Sequence, residues 1–282
     1  MPLPVWDNYA MASEGTGPTV VTKVEIGQCI YCRAFPSLDD ELQNEHIIPL
    51  GLYGKDILVK ASCKCCAAKT SAFEARVQKQ DLGGLRIALN FPTTHKPRRK
   101  GVTTLPIEIV TNNGQTKDIN VPLEDYYASL PFPVFDPPAH LSGAPYTEGI
   151  EMTQCIAVPP RRSLEEVAQK YDAQEMATWT LRYPEAWALM FAKIGYALAV
   201  GHYGLSRIRA EDTYVLNAIL GKSNDVGRWV GCDGRNVFDR QNAGVSQVAG
   251  VYQVGDEIHA RIKLFAWLAV PEYLVIVGRL SA

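Results

Sequence analysis

Two close cysteine pairs, Cys29-Ile-Tyr-Cys32 and Cys63-Lys-Cys-Cys66, bracket the run Asn44-Glu45-His46-Ile47-Ile48-Pro49. Each Cys-x-x-Cys offers two thiolates to a metal at about 2.3 Å, and two such pairs complete one tetrahedral zinc site. A structural zinc held by Cys29, Cys32, Cys63 and Cys66 would pin both flanks of the loop that carries Glu45 and His46. Glu45 is a candidate ligand for a second metal, and His46 beside it is a candidate general base. Cys65 lies between presumed ligands and reads as a bystander. A ligand set using Cys65 in place of Cys63 or Cys66 fits the hairpin geometry less well. This pattern describes a small zinc-stapled catalytic module.

Composition narrows the setting. Of seven cysteines, five fall between residues 29 and 66, with Cys155 and Cys232 isolated. That clustering and the odd count suit free thiols for metal in a reducing compartment better than a disulfide framework. Residues 1–28 contain no apolar run of signal-peptide length. The most apolar stretch, 186–200, is broken by Lys193 and is too short to span a bilayer. The expectation is a cytoplasmic protein without a membrane partner. The net charge of −2 conceals an asymmetry: residues 55–100 hold eleven Lys/Arg against three acids, whereas 101–282 carry a net −5. A basic stretch beside a metal motif suggests a phosphate-backbone partner.

The chain divides into a lead-in (1–28), the Cys/His module with its basic linker FPTTHKPRRKG (29–100), and a larger segment (101–282). In the module the order reads strand, Glu-His loop, a short strand at 57–59, then a helix from Ala67 to Gln80 ended by Gly83-Gly84. Beyond it, Leu105–Val110 and Lys117–Val121 flank Asn112-Asn113-Gly114 as a hairpin. The stretch from Tyr126 to Tyr146 reads as ordered loop. Ser163-Leu164-Glu165-Glu166 is a capping box, and Pro184 suits the first position of a helix whose Trp187, Met190, Phe191, Ile194 and Leu198 form a core stripe. Alternation over Ile258–Leu264 and the run Tyr273–Val277 predict an antiparallel meander carrying amphipathic helices. The fold class expected is α+β.

With these elements in order, Cys29-x-x-Cys32, Glu45-His46-Ile47-Ile48-Pro49 and Cys63-x-x-Cys66 resemble the HNH endonuclease family, the ββα-metal or His-Me finger nucleases. The similarity is to the subgroup with a four-cysteine zinc, and it covers residues 29–80. It implies a metal-dependent DNA endonuclease built on a zinc-stapled ββα-metal module. In that role His46 is the base, and Glu45 is a ligand of a catalytic Mg or Mn ion. Lys60, Lys64, Lys69, Arg76, Arg98 and Arg99 are candidate phosphate contacts. Residues 101–282 give no independent fold assignment; DNA recognition, homodimerisation and partner binding are all open to them.

One position departs from the family pattern. The residue after the last cysteine, Asn in that subgroup and His in other branches, supplies a metal ligand, and here it is Ala67. Glu74 on the same helix face is a substitute ligand, about 10 Å along the helix axis from Ala67. Alternatively Glu45 and water suffice for magnesium. The alternative function is an HNH-derived zinc module that binds nucleic acid or a protein without cutting. Gly221-Lys222-Ser223 lacks the earlier glycine of a phosphate loop, since residue 216 is Leu. His95, His140, His202 and His259 are scattered in sequence, and Asp256-Glu257 reads as a turn.

Overall fold

A computed structural model describes residues 10–11, 23–38, 40–88, 91–92, 102–126, 130–145, 148–158, 164–177, 182–233, 247–266 and 270–281. Arg98, Arg99, His95 and Ser163 lie outside the described residues. The fold is α+β, with several small sheets around one long helix.

Strand β1 (Ala10–Met11) joins a distant sheet, and the module follows: β2 (Lys23–Glu25), β3 (Gln43–His46), β4 (Ile57–Ser62) and helix α1 (Lys64–Ala75). β4 is central, parallel to β2 and antiparallel to β3. The helix begins at Lys64 rather than Ala67, because extended Cys63 serves as its N-cap residue. It ends at Asp81, with Leu82 as its C-cap residue, just before Gly83-Gly84 as expected. It widens into a π-helical turn over Arg76–Asp81, where Leu82 N–H reaches Val77 O. The two glycines then open α2 (Gly83–Ala88). Gly84 is there for close approach: a Cβ at that position would lie 2.0 Å from the Tyr126 hydroxyl.

The hairpin expected around Asn112-Asn113-Gly114 forms from β5 (Thr104–Thr111) and β6 (Thr116–Pro122). Gly114 has φ +78°, which the turn requires and glycine supplies without steric cost. The stretch from Tyr126 is not all loop. It contains β7 (Leu130–Phe135) and the single-turn helix α3 (Ala139–Ser142). β7 tolerates Pro131 and Pro133 because it pairs on one side only, with β8 (Met152–Val158). Helix α4 (Leu164–Lys170) leads to β9 (Ala173–Ala177), which adds to β5.

Helix α5 (Pro184–Tyr203) has Pro184 in its first turn, as the sequence predicts. The stripe residues are buried, but so is nearly every residue from Ala186 to Val200. An apolar helix buried on all faces needs walls on all sides. One wall is the five-stranded antiparallel sheet. It comprises β1, β11 (Gln247–Val254), β12 (Glu257–Leu264), β13 (Tyr273–Arg279) and β10 (Val230–Cys232), with short helices α6 (Leu216–Ile219) and α7 (Val226–Trp229) beside it. Phe191 stacks on Tyr273 with ring centroids 3.6 Å apart. The other wall is the module. The Tyr196 hydroxyl donates to Ile30 O, Trp187 Nε1 donates to Asp81 at 2.9 Å, and Gly201 packs by Ile47 and Leu58. The sequence divides at 101, while the hydrophobic core runs through both segments. No helix among the described residues is long and apolar enough to cross a membrane.

Gly195 sets how closely α5 approaches the sheet: an added Cβ would meet Val275 at 3.0 Å and Ala260 at 3.2 Å. Gly195→Val should therefore destabilise the fold by about 1–3 kcal/mol through overpacking. The check is a urea titration, in which the midpoint falls and the m-value does not change.

Candidate metal centre and the Glu-His strand end

The first cysteine pair sits on a tight knuckle. Cys29 N–H donates to Ala34 O at 2.8 Å, and Arg33 returns a bond to Cys29 O while holding φ +63°. The bond from Ile30 N–H to Ala61 O lays this knuckle against the end of β4. There Cys63 and Cys66 flank the start of α1. The sulfurs of Cys29, Cys32, Cys63 and Cys66 all lie within 4.8 Å of one another, and Cys32 and Cys63 are 3.6 Å apart. A tetrahedral ion with bonds of about 2.3 Å requires sulfurs about 3.8 Å apart, so the set has the spacing for zinc. Burial, then the neighbouring Cys29 charge and the other cysteines, push the Cys66 thiol far above its ordinary value. A divalent cation removes that conflict by holding the sulfurs as thiolates. The cluster can hold a zinc ion. Cys65 is exposed in the first turn of α1 and is not part of it.

The Glu-His pair lies at the end of a strand rather than in a loop. Glu45 pairs with Leu58 and His46 with Ile57. The register slips between Gln43 and Glu45, where Lys60 adopts φ +51° and donates its N–H to Asn44 Oδ1. Glu45 turns inward and is only 7% exposed, whereas His46 remains partly exposed. Burial and the Lys193 charge lower the His46 pKa, against Glu45 and the backbone of Gly54, which act to raise it. A neutral ring at neutral pH is the form that can accept a proton.

What meets Glu45 is Lys193, from the middle of α5. Its ammonium lies 2.7 Å from Glu45 Oε1 and 3.0 Å from Glu74 Oε1. It also donates to His46 O and approaches Ile47 O at 3.4 Å. Lys193 is fully buried. Burial acts to lower its pKa, and the two carboxylates outweigh that and raise it. Burial likewise raises the Glu74 carboxyl, with Lys193 opposing and Glu45 adding to the shift. Two buried polar atoms here, Tyr31 OH and His46 Nδ1, have no hydrogen-bond partner among the described residues, while Glu74 Oε1 faces the Lys193 ammonium at 3.0 Å.

The expected ligands for a catalytic Mg or Mn ion therefore do not fit one as they stand. Glu45 and Glu74 do converge, as a shared site requires, but the point between them is taken by an ammonium. Ala67 adds no donor atom. The expected phosphate contacts divide in two. Lys60 and Lys64 are exposed, with Lys60 paired to Glu25 at 2.8 Å. Lys69 donates to Leu220 O at 3.0 Å, and Arg76 sits 5.7 Å over the Tyr183 ring, so both contact the C-terminal segment.

The sequence reading missed Lys193, whose only visible sign was a charge inside an apolar helix. It also left His140 and His259 unconnected. Both reach Glu257, at 3.0 and 3.3 Å, with Tyr214 OH on the same carboxylate. Glu257 begins β12, and only Asp256 belongs to the turn. No protein-family model matches the chain, and comparison with curated proteins and with solved structures returns no match.

One zinc per chain is expected by elemental analysis of purified protein. Cys29→Ser and Cys66→Ser should lose it and melt at clearly lower temperature, since structural zinc contributes folding free energy directly. Cys65→Ser should retain the metal and the melting temperature. Equal zinc loss in all three would contradict the ligand assignment.

Proposed function

We propose that the chain is a DNA endonuclease of the HNH kind, in which His46 activates water against a phosphodiester. The observation that carries this reading is the convergence of four thiols on one point. That cluster joins the knuckle, β4 and α1, and so backs the strand end that holds a partly exposed, readily neutral imidazole. In the proposed reaction His46 takes a proton from water and the oxygen bonds to phosphorus. The P–O3′ bond breaks, and the departing oxygen takes a proton from solvent. Nδ1 is buried, so the accepting atom is assigned as Nε2. Lys60 and Lys64 are the described candidates for backbone phosphates.

A second reading has specific support. Ala67 leaves the helix start without a ligand atom, and Lys193 neutralises the two carboxylates that a divalent ion would use. These features favour a module that binds nucleic acid, or a protein, without cutting it.

Incubation with supercoiled plasmid in Mg or Mn buffer separates the two. The first reading expects nicking by the wild type and a loss of about 10²–10⁴-fold in His46→Ala. Undiminished cutting by His46→Ala would remove His46 from the mechanism. An uncut plasmid, bound with strong salt dependence, selects the second reading.

A further inference from the structure

We propose that Lys193 is the built-in cation of the Glu45–Glu74 pair, so that helix α5 completes the site and no divalent ion is held by these carboxylates. The proposal concerns metal occupancy alone and holds under either functional reading.

The geometry is that of an occupied cation position. Within 3.4 Å the ammonium has Glu45 Oε1, Glu74 Oε1 and the carbonyls of His46 and Ile47. An ammonium has three N–H donors, and three close oxygens use them all. A divalent ion bound by both Oε1 atoms would have to stand where Nζ stands. Lys193 cannot withdraw to water to make room, because it is fully buried in the middle of a helix packed on all sides. Tyr31 closes the module side, with its ring centroid 6.0 Å from that of Tyr196, one turn along α5 from Lys193. Lys193 is thus a positioning residue: it holds Glu45 inward and fixes the carbonyl of His46, and through that carbonyl the backbone of the candidate base.

The position of Lys193 also explains how the chain can lack a ligand at Ala67. With the carboxylates already neutralised from α5, the helix start has no ion to complete. The site consequently depends on residues far apart in sequence, and the module's polar interior is finished by the C-terminal segment.

The test is titration of Mn(II) into full-length, zinc-loaded protein, with free Mn(II) read by electron paramagnetic resonance and melting followed in parallel. Wild type and Glu45→Gln should give superimposable titrations, and Mn(II) should leave both melting temperatures unchanged. Lys193→Met, which frees both carboxylates, should bind a single Mn(II) roughly tenfold or more tightly than wild type, because two like charges are left unneutralised. Its melting temperature should then rise with Mn(II). Uptake by wild type that Glu45→Gln abolishes would overturn the proposal, as would a folded Lys193→Met with no gain over wild type. Should Lys193→Met fail to fold, the comparison of wild type with Glu45→Gln still decides. Plasmid cleavage enters none of these readouts, so failure here is distinct from failure of the nuclease reading.

Discussion

A charged amine in the middle of a protein persists only when its charge is answered on the spot, and Lys193 is answered by Glu45 and Glu74. Much of the molecule's organisation follows from that requirement. The ammonium sits on α5, which belongs to the C-terminal segment, and both carboxylates sit in the Cys/His module. Docking of the two is therefore fixed by charge as well as by apolar packing. Removing one member of such a buried pair typically costs about 3–5 kcal/mol, since the remaining charge is stranded. Replacing all members with well-packed apolar groups can cost nothing. What the ion cluster confers is register: α5 can slide no turn along the module without separating charges.

The thiol cluster and the ion cluster act on one small element from two sides. Four converging thiols that can hold a zinc ion bring the knuckle to the end of β4 and the start of α1, while Lys193 holds the end of β3. His46 lies at that end with Nδ1 buried and its ring partly exposed. Rigid support on both sides is what a proton-accepting side chain needs in order to keep a fixed aim. The same support would serve a binding surface, which is why geometry alone admits two readings of the function.

The parts legible in the sequence are those set by local spacing. Cys29, Cys32, Cys63 and Cys66 could be matched by interval alone, and their sulfurs do meet. The Asn112-Asn113-Gly114 turn and the first-turn Pro184 follow from dihedral preferences and were equally readable. Errors arose where a distant contact overrode a local signal. Gly83-Gly84 marks the end of the first helix, as the sequence suggests, but the sequence does not show that a second helix starts there or that Tyr126 presses against Gly84. The positive run from Lys55 to Lys100 looked like a phosphate-facing surface, yet part of it is internal: Arg86 donates to Gly51 O, Gln78 O and Pro92 O. Lys193 is the clearest case. Its neighbours in sequence are all apolar, and nothing within a helical turn forecasts carboxylates more than a hundred positions away.

Which cation Glu45 holds decides the character of the site, and a crystal grown in Mn(II) would show it directly. Anomalous maps at the zinc and manganese edges should place a zinc peak among the four sulfurs and leave only the Lys193 ammonium between Glu45 and Glu74. A manganese peak bonded to Glu45, with Lys193 turned aside, would contradict it.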